Sequence, residues 1–480
     1  MMSKNFTITY FGYKKIPPAF SVISIAYLVY CLLYTPNLLV SIPVVLFPAF
    51  AYKLFWIDKK PNVIFWSMML QWLSASTQLL YCNILQISLE ERFRNSPFPG
   101  GNMDTATLLS LIALYVFSLG FYYATRTLAI KNIDIDNYKP GRVLIVYAIV
   151  SAIVYVTSGI IWSYPAIVQY VYFFFYIKWG FFLVTFYVVH RKARSLRIYL
   201  YSLIGIEVVL SFSSFFAGNF INIVSYTLIA FIALQPKLNT RSYLIGGIAS
   251  MLLLHFMIIW SAIKPDYRSY ISKGQTVQIA LVTREEANAK FYQLVNDVDE
   301  KKYAIGIEKL VDRLGYIQFF GATLNYVPNV VPFQEGKIYK QAILNYLTPR
   351  FFFPDKPVLD DSKHTTKYTG IGVNGIADAT SFSLGYVADA YIDFGPVYMF
   401  PALLVLGYFF GLTYKYFVRS APNEFWVWIS TGAFFLLVNI YGTDTNKAIG
   451  WMLIYFLTVA ALQKVLINLI DPFMKYESKS

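Results

Sequence analysis

The chain has 480 residues, of which 57% are hydrophobic and 14% charged, and it carries a net charge of +14. A soluble chain of this length has roughly 25% charged residues and divides into two or three domains, so the composition excludes the ordinary soluble classes. A nucleic-acid protein gathers its cations on a soluble domain or tail. Here they sit in short connectors between apolar blocks, and no nucleic-acid partner is expected.

Blocks of about 17–25 apolar residues, long enough to cross a bilayer, occur at 17–34, 38–57, 62–83, 107–125, 143–162 and 164–189. Others follow at 198–216, 219–235, 242–263, 396–418, 424–441 and 448–470. The expected fold is therefore an all-α polytopic membrane protein of about 12 transmembrane helices. A nine-helix region (1–263) and a three-helix region (396–480) flank one large, partly helical loop (264–395). The first block is too long for a signal peptide and lacks a small-residue cleavage motif, so it reads as a retained anchor. Cys31 and Cys82 are too few for a disulfide framework. They could form a single bridge or be two buried small apolar residues.

Connector charges set the expected orientation. One alternating set holds Lys4, Lys14, Lys15, Lys59, Lys60, Arg126, Lys131, Lys139 and Arg142, then Arg191, Lys192, Arg194, Arg197, Lys237 and Arg241. It ends with Lys415, Arg419, Lys475 and Lys479, whereas the opposite set has Arg92, Arg94 and Lys447. Cations favour the cytoplasmic side, which puts both termini in the cytoplasm and 264–395 outside it. Within that loop, Thr283 and Glu286 have capping-box spacing for a helix running toward Val298. Residues 305–327 are amphipathic, with Ile307, Leu310, Leu314 and Ile317 on one stripe. Lys178, Glu207 and His255 fall inside apolar blocks and should face a bundle interior. Lys178 and Glu207 are an expected pair.

The densest polar cluster is TPRFFFPDKP at 348–357, followed by LDDSKHTTKYTG to Gly370. Arg350 offers a planar fork of donors for a phosphate or diphosphate, and Lys356 adds a compact charge on a proline-stiffened backbone. The plainer alternative is a solvated loop. In SFSLGYVADAYIDFG, 381–395, Asp389 and Asp393 are four apart and would share a helix face. A carboxylate there could act as general base toward a sugar hydroxyl, or merely favour a helix N-terminus. His364 suits base chemistry at neutral pH through its reference pKa of about 6.5, but ranks below Asp389 because only its place in the sequence recommends it. Asp297 and Asp299 read as a solvated helix end.

The order Arg313, GKIY (336–339), PRFFFPDKP and GYVADAYIDFG resembles bacterial oligosaccharide repeat-unit polymerases, the Wzy-type O-antigen and capsule polymerases, distantly similar to O-antigen ligases. The resemblance covers roughly residues 310–400, with Asp389 where that family usually has Glu. It implies a glycosyltransferase, metal-independent and without cofactor, that polymerises polyprenyl-diphosphate-linked oligosaccharide repeats on the outer leaflet of a bacterial inner membrane. Arg313, Arg350 and Lys356 would bind the diphosphate, with Asp389 or His364 as the catalytic base. The implied partners are the lipid-linked oligosaccharide, membrane lipid, a chain-length regulator and a flippase. A ligase transferring finished glycan would need the same features. A transporter is the other class, but transporters tend to have two similar halves with broken helices at matching positions, and no such repeat is found here.

Overall fold

A computed structural model describes residues 15–94, 101–129, 131, 135–161, 175–213, 217–236, 239–275, 281–348, 353, 359–373, 375 and 381–476. Its helices in chain order are α1 (Pro18–Tyr34), α2 (Leu38–Phe55), α3 (Val63–Leu85), α4 (Leu89–Phe93), α5 (Met103–Thr125) and α6 (Pro140–Ile161). Next come α7 (Ile177–Lys192), α8 (Arg197–Ser213), α9 (Ala217–Ala233), α10 (Thr240–Ile271), α11 (Arg284–Asn296), α12 (Glu300–Leu314) and α13 (Ile317–Tyr326). The series ends with α14 (Lys337–Leu347), α15 (Asp361–Thr369), α16 (Gly385–Ser420), α17 (Glu424–Thr431), α18 (Phe434–Leu437) and α19 (Thr445–Met474). Among the described residues there is no strand, and Tyr138 and Lys475 form an isolated β-bridge.

Six of the described helices are long and apolar enough to cross a membrane: α2, α5, α6 as far as Ser158, α10, α16 and α19. Their outward faces carry large apolar side chains, such as Leu39 and Met251, both about three-quarters exposed at 77% and 74%. Apolar surface on that scale suits lipid rather than water.

The bundle centre is the α5–α16 pair. A Cβ at Gly120 would lie 2.2 Å from the Leu404 carbonyl oxygen, and one at Gly407 would lie 2.2 Å from that of Phe117. Gly407 and Gly411 form a Gly-x-x-x-Gly repeat, which lets two helix backbones touch. Gly407→Val should therefore force the helices apart and cost about 1–3 kcal/mol or more. The check is a lowered melting temperature of the purified protein; an unchanged melt would mean that α16 shifts freely along α5.

Several local expectations meet the structure directly. The Thr283–Glu286 capping box forms and starts α11, and the Asp299 side chain caps α12 by accepting from the Lys302 N–H. The amphipathic stretch 305–327 divides into α12 and α13, with Gly315 between them. Inside the bundle, Lys178 Nζ lies 2.9 Å from Glu207 Oε2, and the Tyr147 hydroxyl donates to Glu207 Oε1 at 2.7 Å. Cys31 and Cys82 are buried free thiols. Two boundaries differ from expectation. The apolar stretch 424–441 is broken into α17 and α18, whereas α10 runs past residue 263 to Ile271 as one helix. Within α16, Gly395 leaves helical geometry at φ +73°, so a short helix precedes the longer apolar one.

Candidate functional site

The short first part of α16 is anchored by its glycine. Gly385 has φ +79°, and a Cβ there would lie 2.8 Å from both the Ile440 oxygen and the Tyr441 backbone. That close approach lets the Tyr386 N–H donate to the Ile440 oxygen at 3.1 Å. One turn later, Asp389 faces the start of α19, where its Oδ2 accepts the Thr445 N–H at 2.7 Å. Free N–H groups at a helix N-terminus favour a carboxylate, and Asp389 is fully buried there.

Its other oxygen meets a histidine. His364 Nε2 lies 2.7 Å from Asp389 Oδ1, across 25 residues of sequence. His364 rides on α15, which Asp360 caps by accepting the Ser362 and Lys363 N–H groups and which Gly370 ends in the left-handed region. Among the bonds that tie α15 to the chain before α16, the Thr365 hydroxyl donates to the Phe382 oxygen at 2.7 Å, and the Phe382 N–H donates to Ser362 Oγ at 3.1 Å. The Tyr368 ring stands edge-on to the imidazole at 4.8 Å. The His364 side chain stays 21% exposed, against none for Asp389, so the imidazole is the solvent-facing end of the pair.

A second acid–base pair adjoins the first. Lys447 Nζ pairs with Asp361, whose Oδ2 also accepts the Ser381 hydroxyl at 3.0 Å. The Lys447 N–H donates to Asp444 Oδ1 at 2.7 Å, capping α19. Burial pulls the His364 pKa down, but the charge and hydrogen bond of Asp389, with Asp444 and Asp361 behind them, push it above the ordinary histidine value. Burial, reinforced by Asp361 and Asp389, pushes the Asp444 carboxyl up to about 8. Asp361, Asp389 and Asp444 thus gather around His364 and Lys447.

With Nε2–H directed at Asp389, neutral His364 carries its free lone pair on Nδ1, which no described residue engages. Such a pair can take a proton from a hydroxyl at Nδ1 while the buried carboxylate fixes the ring and stabilises the imidazolium. Asp389 itself has both oxygens occupied. Asp393 is the helix-terminal carboxylate: Oδ1 and Oδ2 accept the Ile338 and Tyr339 N–H groups at 3.1 and 2.9 Å, capping α14.

The expected cations are distributed differently. Arg350 and Lys356 lie outside the described residues. Arg313 is exposed at the end of α12, in the field of Lys264 and Arg268 on α10 rather than bonded to the His364–Asp389 pair. Sequence reasoning missed Asp361, Asp444, Thr445 and Lys447 as neighbours of that pair. The one signal available was Asp444 just ahead of an apolar run, a helix-cap spacing.

Residues 102–417 match the model of a domain of unknown function (DUF8712). That is well over half of the chain, which belongs to this family. The matched region contains Arg313, His364 and Asp389, whereas Asp444, Thr445 and Lys447 lie beyond it. No curated protein and no solved structure matches the chain.

Proposed function

We propose that this member of the DUF8712 family is a membrane-embedded glycosyltransferase that polymerises polyprenyl-diphosphate-linked oligosaccharide repeats on the outer leaflet of a bacterial inner membrane. The observation that carries the reading is the His364–Asp389 bond: a solvent-facing imidazole backed by a buried carboxylate. On this reading the chain crosses the membrane about 12 times, both termini are cytoplasmic, and 264–395 lies outside with the pair. Supporting that placement are the connector charges and the family resemblance of residues 310–400.

The proposed transfer balances as follows. The acceptor sugar hydroxyl gives its proton to His364 Nδ1 while its oxygen bonds to the anomeric carbon of the donor. The bond from that carbon to the diphosphate breaks, and its electron pair leaves with the phosphate oxygen. Cations offset the charge that develops there, a role that the residue types Arg350 and Lys356, which precede α15 in the sequence, would suit. Asp389 orients the ring, which revises the sequence expectation that ranked it above His364 as the base. Asp389 is fully buried, and each of its oxygens already has a partner in the imidazole or the Thr445 N–H.

The test is glycan laddering in cells lacking the gene, complemented with wild type, Arg350→Ala, Lys356→Ala or Asp389→Ala at matched protein levels. Polymerisation predicts single repeats on the lipid in the deletion strain and no ladder from the variants. Long chains that persist unattached to their final acceptor would reassign the site to a ligase. An unchanged ladder in every strain would overturn the reading and favour transport.

A further inference from the structure

We infer that α14 is an interfacial helix whose outward face, formed by Ile343, Leu344 and Leu347 with Lys337 and Lys340 ahead of them, rests in the bilayer at the boundary between lipid headgroups and acyl chains.

Both ends of α14 are fixed to helices that enter the membrane. At its start, Asp393 accepts the Ile338 and Tyr339 N–H groups, the Gln334 N–H donates to the Ile392 oxygen at 2.9 Å, and the Tyr339 ring packs on that of Phe394 at 5.2 Å. Further along, α14 packs on α19 at a glycine, because the Tyr346 ring fills the space that a Cβ at Gly450 would take. Asp393 comes three residues before the apolar block 396–418, whereas Gly450 is two residues inside the block 448–470. The helix therefore lies along the edge of the hydrocarbon, its first turn outside and its last turns beside the start of α19.

The residue pattern follows that placement. Ile338, Ala342 and Tyr346 are spaced four apart and share the face turned to the bundle, where Ile338 and Ala342 are buried. Ile343, Leu344 and Leu347 lie on the other side and are 50%, 49% and 66% exposed. The exposed polar side chains of the same helix, Lys337, Lys340 and Gln341, all precede them. Along its outward face α14 thus changes from charged at the outer end to apolar at the inner end, which is the order that a bilayer edge imposes.

Three observations identify the occupant as lipid. At the depth of Gly450 the bundle is surrounded by acyl chains, so the far side of α14 meets the same medium. The apolar surface continues that of α16, whose Val397 and Tyr398 are largely exposed where its apolar part begins. Lysine stems can lie along apolar surface while their ammonium groups reach headgroup phosphates, the arrangement of an amphipathic helix at an interface. Leu347 is the last residue of α14, so the chain enters the 348–357 run from the membrane surface. The inference rests on the membrane placement and not on glycosyl transfer.

The test is nitroxide labelling of single added cysteines in the purified full chain, in phosphatidylcholine–phosphatidylglycerol nanodiscs. Cys31 and Cys82 are buried and do not compete for the label. Leu344→Cys, Leu347→Cys and Lys337→Cys are compared with Tyr398→Cys as lipid reference and with the exposed Glu285→Cys of α11 as water reference. Labels replacing Leu344 and Leu347 should be reached by oxygen and shielded from a water-soluble nickel chelate, as at Tyr398. The label replacing Lys337 should show the reverse ratio, as at Glu285. Nickel access at Leu344 and Leu347 equal to that at Glu285 overturns the inference in favour of water. Shielding from both reagents overturns it in favour of a protein cover, such as a second copy of the chain. If the labelled variants do not fold, the wild type is irradiated in discs whose acyl chains carry a diazirine. Adducts on 343–347 support the lipid contact, and adducts on α2 and α16 without them overturn it. Because no transfer is assayed, loss of the glycan ladder and loss of the lipid contact are separate results.

Discussion

Replacing His364 with glutamine is expected to slow chain extension by about 10²–10⁴-fold, the range for losing a general base, while the protein still folds. Glutamine keeps an N–H donor for Asp389 but has no basic nitrogen. Extension of lipid-linked repeats in membrane vesicles is the measurement, and full activity in the variant would remove His364 from the mechanism. The base form is neutral imidazole, so the wild-type rate should rise with pH through a midpoint above the ordinary histidine value. Asp389→Asn removes the largest raising influence and should move that midpoint toward acid. An unmoved midpoint would mean that another group titrates. The same shift fixes a stability term. Because the folded pKa is raised, stabilisation from the charged pair is complete below the ordinary value near 6.5 and is lost as pH rises through the folded value.

The second large effect lies far from that pair. Lys60 Nζ is 2.9 Å from Glu424 Oε1, with side chains 8% and 0% exposed, and the Trp428 Nε1–H donates to the same oxygen at 2.9 Å. Burial lowers the Lys60 pKa, and the Glu424 charge and hydrogen bond partly restore it. Lys60→Met leaves a buried carboxylate without its cation, which should cost about 3–5 kcal/mol. Adding Glu424→Gln keeps an acceptor for Trp428 and removes the stranded charge, so the double variant should recover most of the loss. Thermal unfolding of the three proteins decides it. A double variant as unstable as the single one would mean that Lys60 acts through packing of its methylenes instead.

Lys60 also illustrates the reach of connector charges. As one of many cations in a biased set it carries information about orientation, yet only the structure places it in a buried pair beneath Trp428. The intramembrane pair was legible earlier, because an isolated Lys178 and Glu207 in apolar blocks have few partners to choose from, and they meet at 2.9 Å. The capping box at Thr283 was legible for a similar reason: its two residues are three apart, so geometry is fixed before tertiary structure exists.

The sequence by itself determined the membrane class, most helix positions and the capping box at Thr283. These follow from residue types over short separations, where hydropathy and period decide the outcome. Tertiary structure decided which groups meet. It bonded His364 to Asp389 across 25 residues and brought the start of α19 to the carboxylate's other oxygen. It also turned Asp393, one helical turn from Asp389, into a cap for α14. Two aspartates four residues apart look alike in sequence; they part company because each finds a different helix N-terminus, and only one of them also finds an imidazole.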